Sequence, residues 1–536
     1  VTFVKNNNLS TKTMNLKFTL IVAGLFASSL GYGQEIARGM VYEDTNLNGK
    51  RDAKEKGIAQ VAISNGVDVV LTDASGRYNI PARENSVFFV IKPNGYQFPV
   101  DENNKPQFYY IHKPEGSPAL KYAGSKPTGK LPKSVDFALQ KDGNEQKDFS
   151  ALVFGDPQAY TLDEISFFDK GIIQDITDKE KFSFGLSLGD LVGDDLVLHG
   201  PYIETVGKLG LPWFNVMGNH DMNYDVQEDI FSDETYEQNF GPNNFSFNYG
   251  DAHFIVLDNI LYPNPRTGKG YLGGFRKDQL DFVENNLKFV PKDKLIVLAF
   301  HIPLLHQNSN VFRDEDRQRL FDLLAEYPHT LSLSAHTHLQ RHNFYTKSDG
   351  WRQEKPHHEY NVGTTSGDWY SGLKNKQGVP TSTMRDGTPK GYAILNITGN
   401  TYTFDYQVAG EPADYQLNLT FPAELQQKNI RRHTLYANFF IGNEGNIVEY
   451  SLDGKSWIKM QHTLIEDPSY QFNVLKFDNA ETLMDGRRPS AATSSTHLWE
   501  TKLPRKLEVG EYTIQVRATD MFGRTHLQTK SLKVVQ

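Results

Sequence analysis

The sequence contains no cysteine. That absence excludes disulfides, thiolate nucleophiles, Cys-ligated zinc, iron–sulfur clusters and a lipid-modified cysteine anchor together. Positive charge is also scarce, since 56 Lys and Arg face 65 Asp and Glu, for a formal charge of −9. A broad surface for long nucleic acid or anionic membrane is therefore not expected. Long apolar runs are missing too. Phe18–Leu30 has thirteen residues, whereas a helix that spans a bilayer needs about 20.

What surrounds that run has the form of an export signal. Lys12 and Lys17 precede it, and Gly31-Tyr-Gly33 follows before Gln34. Loss of residues 1–34 would remove three lysines and no acid, taking the charge from −9 to −12. The mature chain is expected outside the cytoplasm, either periplasmic or secreted to the surface, with no integral membrane segment. At roughly 100–200 residues per domain, the length implies two to four domains. A hydrophobic content of 38% with 12% aromatics is enough to build cores and excludes wholesale disorder.

Three regions follow the signal. Residues 35–140 read as all-β, with short runs such as Val67–Leu71, Arg77–Ile80 and Val87–Ile91 between turn signals. Gln140–Lys147 is a polar linker. From 148 to 410, apolar strands alternate with segments of helical period, notably Asp278–Leu287 and Asp316–Ala325, which argues an α/β layer structure. Residues 411–536 return to strands, including Leu435–Ile441, Ile447–Ser451 and Glu511–Arg517.

The chemistry sits in the middle region. Five apolar runs each end on polar groups suited to hard or borderline metals. They lead into Asp156 and Gln158, Asp190, Asn219-His220-Asp221, His301, and His336 with His338. Loops at the carboxyl ends of strands in such folds lie beside one another. Carboxylate, amide and imidazole donors gathered in this way suit two adjacent divalent ions of the Mn, Fe, Zn or Co kind. A lone histidine at a strand end is usually structural. Five such ends in succession are not explained that way.

The ordered set Asp156-x-Gln158, Gly189-Asp190, Gly218-Asn-His-Asp221, His301 and His336-x-His338 resembles the calcineurin-like metallophosphoesterases over about 250 residues. The resemblance implies a central four-layer α/β sandwich and a phosphoester hydrolase. It implies that Asp156, Gln158, Asp190 and His338 hold one metal. Asp190, as the bridge, would hold the other with Asn219, His301 and His336, and His220 would be the catalytic histidine. Gln158 departs from the family's usual histidine and is a weaker, neutral donor. Ala335 replaces a glycine, and the arginine of the protein phosphatase branch is missing after Asp190. The expected reaction is attack of metal-activated hydroxide on a phosphomonoester or phosphodiester, with His220 assisting the leaving oxygen. Either Asp221, paired with His220 as catalytic, or Asp194 would orient that ring. The loops Gly363–Tyr370 and Arg385–Pro389 are candidate pocket walls. His253, His306, His342, His357 and His358 carry no motif and are expected to be surface or structural.

Asp44, Asn46, Asn48, Gly49, Asp52 and Glu55 follow a calcium-loop pattern. The flanking segments read as strands rather than the helices of an EF-hand. The segment resembles the prealbumin-like β-sandwich modules of bacterial surface proteins, so Ca²⁺ is the ion expected there. The order of sandwich, phosphoesterase and all-β sandwich is similar to exported three-domain bacterial members of the family. Two other readings stand beside the hydrolase. One is a non-catalytic surface-binding or adhesion protein with a degenerate central domain. The other is a nucleotide or sugar-nucleotide hydrolase on the same scaffold.

Overall fold

The computed structural model describes residues 35–83, 85–143, 147–304, 311–504 and 507–536. The expected export signal and His306 lie outside the described residues.

The first region forms two four-stranded sheets. One has the order Arg77–Pro81, Ile36–Glu43, Phe137–Lys141, Tyr96–Gln97, and the other Val69–Leu71, Ala62–Ser64, Ser86–Ile91, Tyr109–His112. Ser86–Ile91 is buried at every position because its sheet is covered on both sides. Phe89 on this strand meets the ring of Phe282 in the central region edge-on at 5.6 Å.

The central region has two larger sheets. The first runs Trp213–Asn215, Phe182–Ser187, Asp148–Phe154, Gly391–Thr398, Thr401–Val408. The second runs Phe245–Tyr249, Ala252–Val256, Leu295–Ala299, Thr330–Ser334, His357–Asn361, Arg341–Tyr345. In the first sheet Trp213–Asn215, Phe182–Ser187 and Asp148–Phe154 are parallel and the last two strands antiparallel. In the second the four inner strands are parallel and both edge strands antiparallel. Leu295–Ala299 is buried throughout, as expected of parallel strands covered on both faces. The two sheets face each other through aromatic rings, with Phe184 of one packing on Phe247 and Phe254 of the other at 5.5 and 5.3 Å. Helices occur where the apolar period places them, at Lys277–Leu287 and Asp314–Leu323. Leu280, Phe282, Val283 and Leu287 form the buried stripe of the first.

The third region has sheets of four and five strands around a hydrophobic core of its own. Gly510–Thr519 alternates toward that core at Ile514, Val516 and Ala518. One helix, Pro468–Asp478, interrupts the expected run of strands. Its start has a local cause, because the Asp467 side chain accepts from the Tyr470 N–H and Pro468 occupies the first helical position. Among the described residues, no helix is long and apolar enough to cross a membrane.

The first two regions share one continuous core, so the polar stretch between them does not separate two independently packed units. A buried ion cluster crosses their junction. Lys113 Nζ lies 2.5 Å from Glu234 and 2.6 Å from Glu237, with all three side chains almost wholly buried. Burial disfavours the ammonium charge, but Glu237, Asp233 and Glu234 outweigh it and raise the Lys113 pKa. Replacing Lys113 with methionine leaves these carboxylates uncompensated, and losing one partner of such a pair costs about 3–5 kcal/mol. Lys113→Met should show that loss in denaturant unfolding. Unchanged stability would mean that the cluster contributes nothing at this junction.

Candidate metal centre

The parallel strands Asp148–Phe154, Phe182–Ser187 and Trp213–Asn215 end side by side in one sheet, and Leu295–Ala299 and Thr330–Ser334 do so in the other. The residues just beyond those ends converge. His301 Nε2 is 3.3 Å from Asp190 Oδ2, 3.1 Å from Asn219 Oδ1 and 3.1 Å from His336 Nδ1. His338 Nε2 is 2.7 Å from Gln158 Oε1 and 3.8 Å from Asp156 Oδ1. Asp156 Oδ1 is also 4.0 Å from His301 Nε2, so it faces both groups. All seven residues expected as ligands therefore lie in one cluster.

Two motif glycines are explained by the closeness of the loops. A Cβ at Gly218 would overlap the backbone nitrogen of Asp190, and one at Gly189 would strike the His301 ring. The convergence also strains the backbone. Asp156, Gln158, Asp190, His336 and His338 all have positive φ, between 31° and 67°. Non-glycine residues rarely adopt this region, and such strain gathers at functional sites.

The donor chemistry fits a cation. His301 Nδ1 lies 2.8 Å from the Leu188 carbonyl and His338 Nδ1 2.8 Å from the Gly367 carbonyl. Those contacts place a proton on each Nδ1 and turn each Nε2 inward, the orientation found in histidine ligands held by a backbone partner. Inside, His301 Nε2 meets oxygens of Asp190 and Asn219 and His336 Nδ1, and His338 Nε2 meets Gln158 Oε1. Asp156 Oδ1 is buried with no hydrogen-bond partner. A buried acceptor without a donor is costly, and a metal ion would satisfy it. Ligand atoms of Asp190, His301 and His336 lie within 4.8 Å of one another.

Titration follows the same logic. Burial works against charge on His301, but the Asp190 carboxylate outweighs it and raises the pKa to about 9. Burial disfavours the Asp190 anion, yet His301 and His220 hold its pKa below the usual carboxylate range. Desolvation raises Asp156 well above that range and lowers His338 to about 4. The pocket attracts positive charge at His301 and keeps His338 neutral.

His220 stands at the edge. Its backbone N–H donates to Asp190 Oδ1 at 2.9 Å, and its ring is one-quarter exposed. Ring Nδ1 lies 2.7 Å from Asp194 Oδ1. Asp194 therefore orients the ring, and the pairing of Asp221 with His220 is corrected. Asp221 is fully buried and turns inward, where its carboxylate accepts from the Leu191, Val192 and Gly218 N–H groups and contacts His199. It shapes the loop that carries Asn219 and His220. Sequence order could not separate the two aspartates, because both adjoin motif residues and only the direction of the side chain differs.

Sequence reasoning passed over some neighbours of the site. Trp369 stacks on His338 with ring centres 4.1 Å apart and donates from Nε1 to Gln158 Oε1 at 2.7 Å. Arg385 lies over that indole at 5.7 Å and donates to the Thr337 carbonyl between the two histidines. Tyr160 packs edge-on to His220, and the Tyr224 hydroxyl donates to the Asn219 carbonyl. Only the glycine-rich, aromatic composition of 363–370 and the Arg385–Pro389 segment pointed here. His253, His342, His357 and His358 are structural and none is at the surface. Burial lowers the pKa of each.

The family model described as Calcineurin-like phosphoesterase matches residues 149–340. Models for the N-terminal and C-terminal parts of calcineurin-like phosphoesterases match residues 45–123 and 359–526. A probable glycerophosphodiester phosphodiesterase of Arcobacter nitrofigilis is 30% identical over 145 residues, covering 25% of this chain. The chain spans about half of that relative, 48% of its length. A purple acid phosphatase from yellow lupin aligns at 13% identity over 66% of this chain and 69% of its own, with a TM-score of 0.36. A Plasmodium protein described as the anchor in the inner membrane complex aligns at 16% identity over 49% and 85%, with a TM-score of 0.31.

Proposed function

We propose that this chain, which belongs to the calcineurin-like phosphoesterase family, is an exported hydrolase of phosphomonoesters or phosphodiesters that uses two divalent metal ions. The observation that carries the reading is the orphaned, buried Asp156 Oδ1, which faces His301 Nε2 and His338 Nε2 where these converge with oxygens of Asp190, Asn219 and Gln158. Asp156, Gln158, Asp190 and His338 would hold one ion. Asp190, Asn219, His301 and His336 would hold the other. When bound, such ions activate water as a nucleophile and neutralise phosphate oxygens.

The remaining work falls to protein groups. Leu188 and Gly367 carbonyls fix the two histidine rings, so the ligands are oriented in advance. His220, braced by Asp194 through Nδ1 and one-quarter exposed, would pass a proton from Nε2 to the leaving oxygen. Tyr160 and Tyr224, each more than a third exposed, give the mouth an aromatic rim.

Metal content of the purified protein, followed by a panel of p-nitrophenyl mono- and diesters, tests the reading. Two ions per chain and metal-dependent turnover are expected. A metal-replete protein inert on every ester would instead favour a binding role for the same scaffold.

We further assign the Asp44–Glu55 loop to Ca²⁺. Asp44 is buried and accepts from the Asn48 and Gly49 N–H groups, while the amides of Asn46 and Asn48 both turn to Asp52. The loop connects the strands Ile36–Glu43 and Ala62–Ser64. Calcium should raise the melting temperature of the wild-type protein and leave Asp44→Ala/Asp52→Ala unmoved. Equal melting of the wild type with calcium and with chelator would reduce the loop to a hydrogen-bonded turn.

A further inference from the structure

We infer that Arg487, in the C-terminal region, is a positioning residue for the metal position formed by Asp156, Gln158 and His338. The inference rests on the assignment of that position proposed above.

Two contacts tie Gln158 and His338 to a single loop. The Gly367 carbonyl receives His338 Nδ1 at 2.8 Å, and the Trp369 indole both stacks on His338 and donates to Gln158 Oε1. That loop is not a relaxed one. Gly367, Trp369 and Tyr370 have φ of 61°, 48° and 54°, and two consecutive non-glycine residues in the left-handed region must be held by their surroundings. The hold comes from a different region of the chain. Gly486–Arg487 pairs antiparallel with Gly372–Leu373, and a Cβ at Gly486 would overlap the Gly372 carbonyl, so the two backbones are in close contact. From this ribbon Arg487 Nη2 donates to the carbonyls of Asp368, at 3.3 Å, and of Trp369. The Ser490 N–H donates to Asp368 Oδ2 at 2.7 Å, fixing the same turn from a second point.

The consequence is specific to one ion. Gln158 is a neutral amide and a weaker ligand than the histidine usual in the family, so its oxygen must be aimed, and Trp369 aims it. The contacts of this path end on Gln158 and His338. Both adjacent carbonyls are reached from one guanidinium nitrogen, Nη2, so an ammonium on a shorter stem can replace it only in part. Removing it frees the Trp369 peptide from its strained conformation and loosens the indole. Loss of an outer partner of this kind typically costs about 10–100-fold in metal affinity.

The test counts ions, not turnover. The full chain is stripped of metal, dialysed against graded free Mn²⁺, and bound manganese is measured by mass spectrometry. Arg487→Ala should retain one ion with wild-type affinity and bind the other about 10–100-fold more weakly. Arg487→Lys should recover part of the loss. Trp369→Phe keeps the stacking ring without its donor and should reproduce the Arg487→Ala result, which keeps the inference testable if that variant folds badly. Metal-free Arg487→Ala should melt with the metal-free wild type. Gln158→Ala serves as the reference for the position. If it keeps both ions at full affinity, the assignment of the metal position is wrong. If it loses one ion while Arg487→Ala and Trp369→Phe lose none, the clamp alone is overturned. Equal weakening of both ions, or a lower melting temperature of the metal-free variant, would also overturn it by making Arg487 a structural residue.

Discussion

Asp190→Asn is expected to lower turnover by several orders of magnitude and to reduce the bound metal, with the fold intact. Asp190 is the anion that both proposed ions would share. It sits 3.3 Å from His301 Nε2 through one oxygen and accepts the His220 N–H through the other. Asparagine keeps an oxygen for the His220 N–H, so the loop that carries Asn219 and His220 should stay in place. It removes the charge, and a neutral amide cannot compensate two divalent cations at once. The rate then falls because activation of water and clamping of phosphate both depend on those ions. Turnover on mono- and diesters, measured beside metal content and circular dichroism, checks each part. A variant with near wild-type rates on every ester would sink the two-metal site. An unfolded variant would show instead that Asp190 is required for the fold.

Much of the site could be read from the sequence because its ligands sit at strand ends. An apolar run such as Leu295–Phe300 can be recognised, and parallel strands in one sheet bring their carboxyl ends together whatever their separation in sequence. The two facing sheets also bring these ends to each other: Asp156 and His336 follow strands of different sheets, 180 positions apart, and the His336 N–H donates to Asp156 Oδ2 at 2.9 Å. The helices Lys277–Leu287 and Asp314–Leu323 were legible from their apolar period for the same reason. Side-chain direction within loops was not legible. Asp194 and Asp221 both adjoin motif residues, and only the inward turn of Asp221 toward the Leu191, Val192 and Gly218 N–H groups separates them. Trp369 and Arg487 lie more than a hundred positions apart and meet through a two-residue ribbon too short to carry any pattern. The shared core of the first two regions was hidden for a similar reason, since Lys113 and Glu234 each look like ordinary surface charges until they pair.

Substituting His220 should produce a loss that depends on the leaving group. A general acid matters most when the departing oxygen is a poor leaving group, because more negative charge develops on it in the transition state. His220 is placed for that task and not for coordination. Its Nδ1 is taken by Asp194 at 2.7 Å, and its backbone rather than its ring contacts Asp190. Burial opposes protonation of the ring, but Asp190 and Asp194 outweigh it and raise the pKa to about 9. Cations bound beside it would oppose that rise, which leaves the Asp194 contact as the feature that keeps a proton on the ring. His220→Ala and His220→Asn should therefore keep two metals. Their rates on alkyl phosphoesters should fall by about 10²–10⁴, the usual contribution of a positioned acid, and much less on p-nitrophenyl or dinitrophenyl esters. Asp194→Asn should show the same ranking of esters with a smaller amplitude, since it weakens the orientation of the ring without removing it. Loss of metal in the His220 variants would move the residue into the ligand shell. An equal fall on good and poor leaving groups would assign it to phosphate binding, because a contact made to the non-leaving oxygens does not sense which group departs.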